Sequence, residues 1–167
     1  MKDKLYQYAQ EFHQSFDNRE PNKPQPLTQS ELINRVGFIL EELTELAVSQ
    51  CHNQTDVEQV FLEIKQRLDA AKTKLGQKPI NRNSAIVQQA DSLGDIIYLS
   101  YGSFVLMGVE PSEILESIHN ANMHKLFPDG KPHRDKITKK VLKPAAWYTT
   151  YQPEPIINAV IDQQKES

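Results

Sequence analysis

Apolar and polar residues alternate along this chain with the period of an α-helix. Between Thr28 and Gln50, Leu32, Val36, Ile39, Leu40, Leu43 and Leu46 recur at steps of one to four residues, the spacing that gathers side chains on one side of a helix. From Ser84 to about Met107 the sequence is largely apolar, so this fourth helix is expected at the centre of a bundle. Shorter periodic runs predict a first helix from about Lys2 to Phe16, a third from about Thr55 to Gly76 and a fifth from Pro111 to about Leu126. Period-2 alternation, the mark of a half-buried strand, is hard to find.

The punctuation between these runs agrees with them. Thr28-Gln-Ser-Glu31 and Thr55-Asp-Val-Glu58 both fit a capping box, in which a hydroxyl and a carboxylate satisfy free amides of a first turn. Gly76 and Gly108 are natural helix stops, and Pro111 suits the first turn of the helix that follows. The segment Asp17 to Pro26 is polar and contains three prolines, so it reads as a loop. Beyond Phe127, Pro, Gly and Lys break the periodicity, which predicts an irregular basic tail with room for a short hairpin, its last dozen residues either helical or loose. The expectation is an all-α fold, a helical bundle of about five helices with an irregular basic C-terminal tail, in a single domain over residues 1–167 with its core at about 28–143.

Composition narrows the function classes. A chain of 167 residues, 25% charged and 38% hydrophobic, is ordinary for a globular protein and long enough to bury a core without disulfide or metal staples. A net charge of −3 argues against polymeric nucleic acid as a partner. The single cysteine, Cys51, cannot form an internal disulfide, so a reducing, cytoplasmic location is expected. The sequence shows no signal-peptide pattern and no apolar stretch long enough for a bilayer, hence no membrane partner is expected.

The chemistry lies in the carboxylates. At about 100° per residue, Glu42 sits about 100° and Glu45 about 40° from Glu41, so the three share one arc of the second helix. No lysine or arginine stands four residues on from any of them: those positions are Glu45, Leu46 and Ser49. Clustered like charges destabilise a helix unless a cation joins them. In the fourth helix Asp91 and Asp95 are one turn apart in an otherwise apolar segment, and Tyr98 continues their face. Aspartate is a poor residue for a helix interior, and a buried charge requires a partner. The bland alternatives are a solvated face for the glutamates and a salt bridge to lysine for the aspartates. Taken together, carboxylates on two helices suit a hard divalent cation such as Mg²⁺, which takes one or two carboxylates plus waters and substrate phosphates. Glu42, Glu45, Asp91 and Asp95 are the candidate ligands. A ferritin-type iron centre requires two Glu-x-x-His pairs, and only Glu116-Ser-Ile-His119 is present, which ranks iron below magnesium.

At these residues the sequence resembles the all-α nucleoside triphosphate pyrophosphohydrolases. Glu41-Glu42-x-x-Glu45, the segment Asp91-Ser-Leu-Gly-Asp95-Ile-Ile-Tyr98 and Asn122-Met-His-Lys125 look closest to the MazG-like, phosphoribosyl-ATP pyrophosphohydrolase-like branch, over roughly Thr28 to Lys143. The family pattern places Glu three residues before the final Asp. That position is Ser92 here, and Asp91 shares the face of Asp95 from one residue earlier. The resemblance implies Mg²⁺-dependent (or Mn²⁺-dependent) hydrolysis between the α and β phosphates of a nucleotide, with Glu41 or Glu42 as general base. It implies Asn122 and Lys125 as substrate contacts. Tyr98 either lines the cleft near base or sugar or packs in the core. In the basic tail, Lys131, Lys139 and Lys143 are candidate polyphosphate contacts, the alternative being a solvated tail. The family also implies pairing through apolar helix faces, hence a homodimer or a dimer of dimers. The competing class is a non-enzymatic helical protein whose acidic faces meet a basic partner.

Overall fold

Each of the first three helices begins where a side chain takes up the free amides of its first turn. In the computed structural model, which describes residues 3–79 and 81–166, these are α1 (Lys4–Phe16), α2 (Gln29–Val48) and α3 (Gln54–Gly76). Asp3 caps α1 by accepting from the Tyr6 amide at 2.8 Å. Thr28 caps α2 in the expected capping box: its hydroxyl accepts from the Glu31 amide, and Glu31 reaches back to the Thr28 amide at 2.8 Å.

The start of α3 differs from expectation. Asn53, not Thr55, is the cap. Its side-chain Oδ1 accepts from the Asp56 amide at 3.0 Å, while the Asp56 carboxylate accepts from the Asn53 side-chain amide and from the His52 backbone amide, each at 3.0 Å. Asparagine caps at least as well as threonine, and an aspartate three residues on completes the reciprocal pairing, so the earlier signal wins.

Three further helices and a short turn complete the described chain: α4 (Ala85–Met107), α5 (Ser112–Met123), α6 (Trp147–Thr150) and α7 (Glu154–Glu166). The fold is all-helical, as the pattern predicts. Of the last dozen residues, the described ones, 156–166, belong to α7, and the hairpin of the tail is a single antiparallel bridge between Arg134 and Val141, backed by a hydrogen bond from the Leu142 amide to His133 O at 2.8 Å. Among the described residues no helix is long and apolar enough to cross a membrane.

The chain divides into two compact units. In residues 24–92, α2 packs against α3. There the Gln89 side chain grips both backbone groups of one residue, accepting from the Leu27 amide at 2.9 Å and donating to the Leu27 carbonyl at 3.1 Å, which ties the entry of α2 to the first half of α4. In the second unit, residues 3–23 with 93–166, α5 packs against α1 and α7. The buried apolar residues Phe16, Ile114, Ala121, Trp147 and Val160 all belong to it.

One expectation is corrected here. The apolar fourth helix is not a buried centre: no residue of α2, α3 or α4 is buried, and on α4 Tyr98 is 79% and Leu106 91% exposed. The chain supplies too little apolar cover for these faces.

The cap assignment predicts an order of stabilities. Asn53→Ala should destabilise by about 1 kcal/mol, and Thr55→Ala by no more than about 0.5 kcal/mol, in equilibrium denaturation. The opposite order would return the cap to Thr55.

Candidate active site

The second half of α2 carries Glu41, Glu42 and Glu45, all exposed, on a helix whose start is fixed by its capping box. The Thr44 hydroxyl donates to the Glu41 carbonyl at 2.7 Å, a bond internal to the turn that holds them. Asp91 and Asp95 lie one turn apart on α4, also exposed. Among the described residues no three His, Cys, Asp or Glu side chains stand close enough to hold a metal ion. Tyr98, expected in a cleft or in the core, is exposed on α4.

Asn122 and Lys125 are brought together. They close the end of α5, both half-buried, and the Lys125 ammonium donates to the Asn122 side-chain carbonyl at 2.6 Å. The tail lysines are held individually. Lys131 is exposed and its carbonyl accepts from the Phe127 amide at 3.0 Å. Lys139 adopts the left-handed region at φ 59° and its ammonium donates to the Lys136 carbonyl at 2.8 Å. The Lys143 ammonium sits 3.8 Å from the centre of the Trp147 ring, a cation–π contact.

A cleft of about 490 Å³ that no spacing along the chain announces lies in the second unit, lined by Tyr8, Glu11, Glu116, His119 and Met123 among others. The lone Glu-x-x-His faces it. Glu116 pairs with Lys4 at 3.0 Å, and His119 Nε2 meets Glu11 at 3.1 Å with its ring stacked on Tyr8, centres 4.1 Å apart. The hydrogen bond from Lys4 holds the Glu116 carboxyl below its ordinary 4.5. Only the partners from α1 were illegible, because pairing between helices leaves no spacing signal.

A helical chain with paired carboxylates on α2 and α4 and an Asn-x-x-Lys at the end of α5 defines a class, the all-α pyrophosphohydrolases. The chain belongs to the phosphoribosyl-ATP pyrophosphohydrolase family, whose model matches residues 9–122. Its fold is that of a candidate NTP pyrophosphohydrolase from Exiguobacterium sp. 255-15, with a TM-score of 0.86 at 30% sequence identity over 99% of this chain and 98% of that one. No curated protein matches the chain.

In the tail, Asp135 sits below its ordinary 3.8 because the Thr138 amide and hydroxyl and the Ile137 amide all donate to it. Asp129 is lowered by His133, 2.9 Å away, and by the Lys131 amide. A depressed carboxylate stabilises the fold above its unfolded value, and that contribution disappears as pH falls through the folded value. Acidification from pH 5 to below 3.8 should therefore loosen the 129–141 turn, read as lower protection factors, relative to the intrinsic rate at each pH, of the Thr138 and Lys131 amides, while Asp135→Asn should show weaker protection already at pH 7. Protection that stays constant over that range would contradict these bonds.

Proposed function

We propose that this protein is a Mg²⁺-dependent pyrophosphohydrolase that cleaves a nucleoside triphosphate, or a related nucleotide, between the α and β phosphates. The observation that carries this reading is the coincidence of family membership with carboxylates at Glu41, Glu42, Glu45, Asp91 and Asp95. The donor set fits the metal. All the candidate ligands are carboxylate oxygens, and a magnesium ion that keeps several waters requires only one or two of them. Glu42 and Glu45, with Asp91 and Asp95, are the residues to hold it; Mn²⁺ fits the same oxygens. When bound, the ion supplies charge neutralisation at the phosphates and an oriented water.

The residues divide the remaining work. Glu41 or Glu42 accepts the proton of the attacking water. The water oxygen bonds to the α phosphorus, the bond from that phosphorus to the bridging oxygen breaks, and pyrophosphate leaves with the electron pair. Asn122 and Lys125 orient phosphate oxygens, with Lys131, Lys139 and Lys143 as further cationic contacts. Tyr98 offers its exposed ring to base or sugar. The substrate is a free nucleotide, consistent with a net charge that does not favour polymeric nucleic acid, and Cys51 as a lone thiol suits the cytoplasm.

A second copy of the chain completes the account. The exposed apolar side chains of α2, α3 and α4 include Leu43, Leu46, Leu68, Leu99 and Leu106, and clustered exposed apolar side chains mark an association surface. We place these faces in a homodimer or dimer of dimers, where carboxylate helices of the assembly meet.

Light scattering should give at least twice the 19.2 kDa chain mass, and Leu106→Asp should reduce it. A wild-type monomer at micromolar concentration would refute the assembly. Pyrophosphate release from a panel of nucleoside triphosphates, diphosphates and phosphoribosyl-ATP should require Mg²⁺ and stop with EDTA; turnover in metal-free buffer would sink the mechanism. Neutralising the general base should lower kcat by about 10²-fold or more, and Glu42→Gln, Glu45→Gln and Asp95→Asn should each lower kcat strongly, with partial rescue by excess Mg²⁺. Asp91→Asn with wild-type kcat and metal affinity would remove Asp91 from the site. Lys125→Ala should mainly raise KM.

A further inference from the structure

The last carbonyls of a helix have no partner within it and must find one elsewhere. At the end of α5 backbone amides of the following turn take up the carbonyls of Asn120, Asn122 and Met123, and two side chains add to them. The Trp147 indole N–H donates to the Ala121 carbonyl at 2.7 Å. His124 Nδ1 donates to the Asn120 carbonyl at 2.8 Å, and its ring stacks on Tyr151 with centres 3.7 Å apart. Trp147 itself is only 6% exposed, and the Lys143 ammonium covers its face at 3.8 Å. Residues 143–151 thus grip the helix end at the peptide that leads directly into Asn122, whose side chain accepts from Lys125 at 2.6 Å. The family match ends at residue 122, so this grip belongs to the part of the chain that the family model does not describe.

We propose that Trp147 is a positioning residue for substrate: by holding the Ala121 carbonyl it fixes the direction in which the Asn122–Lys125 pair meets a phosphate. The inference rests on the reading of that pair as a phosphate contact. A buried, well-formed hydrogen bond at a helix end restricts the orientation of the next residues. Without it the last turn frays, and the pair reaches the phosphate from a population of orientations of which only a fraction is competent. Apparent affinity falls by that fraction, while the carboxylates that carry the chemistry are untouched. The signature is a KM effect that depends on Lys125.

Trp147 is the single tryptophan of the chain, so its emission reports on this grip alone. Inorganic pyrophosphate with Mg²⁺ is titrated into the full-length protein and followed in parallel by calorimetry and by tryptophan emission. Both should saturate together in the wild type, and the emission change should vanish in Lys125→Ala. Heat of binding without a change in emission would overturn the positioning role while leaving the pair as a phosphate contact. No binding by either readout would overturn the pair's assignment and the inference with it. For the kinetic arm, Trp147→Phe keeps a ring beneath Lys143 and removes the N–H donor together with part of the indole's volume, so its melting temperature is read beside its kinetics. It should raise KM roughly fivefold at unchanged kcat, equivalent to about 1 kcal/mol at 1.4 kcal/mol per tenfold, and should add nothing in a Lys125→Ala background. A lower melting temperature with unchanged KM, or a fall in kcat alone, would make Trp147 a structural residue and contradict the proposal.

Discussion

A helix satisfies its own backbone but not its apolar side, and α2, α3 and α4 are three long helices whose apolar sides have too little to lie against within one chain. None of their residues is buried, although their sequences are the most regularly patterned in the protein. Burial is worth about 25 cal/mol per Å² of apolar surface, so leaving Leu43, Leu46, Leu68, Leu99 and Leu106 in water is a large unmet gain. The same helices carry Glu41, Glu42, Glu45, Asp91 and Asp95. The covering of the apolar faces and the gathering of the carboxylates are, in our proposal, one event, because side chains of both kinds ride on the same rigid cylinders.

The rest of the chain is built differently. Around Ile114, Ala121, Trp147 and Val160 a small core forms from α1, α5, α7 and the tail, reinforced by stacked rings and by ion pairs such as Lys4 with Glu116. Those pairs are exposed and add little stability on their own; their use is to orient. Tryptophan and histidine donors at the end of α5 serve the same purpose at Asn122 and Lys125. This half of the molecule holds polar groups in place, whereas α2 to α4 present surface.

How far the sequence could be read follows from that division. Helices with a strong period and local caps were legible, since both signals are contained within a few residues: Thr28 with Glu31 marks the start of α2 unambiguously. The α3 start was misread because two adequate caps, Asn53 and Thr55, stand two residues apart, and choosing between them depends on which one the backbone reaches first. The expectation of a buried α4 failed because periodicity reports that a face seeks cover, not whether the cover lies in the same chain. Within the site, Asn122 and Lys125 were legible as neighbours one turn apart. The grip of Trp147 on Ala121 was not, since a lone aromatic in an aperiodic tail has no spacing to betray its partner 26 residues away.

If assembly gathers the carboxylates, metal affinity depends on it, and calorimetry of Mg²⁺ binding to wild-type protein beside the Leu106→Asp variant at matched concentration tests that dependence. Binding should be saturable in the assembled wild type and at least about tenfold weaker in a folded, monomeric variant. Equal affinity in the monomer would contradict that dependence and would place the cation on the carboxylates of a single chain.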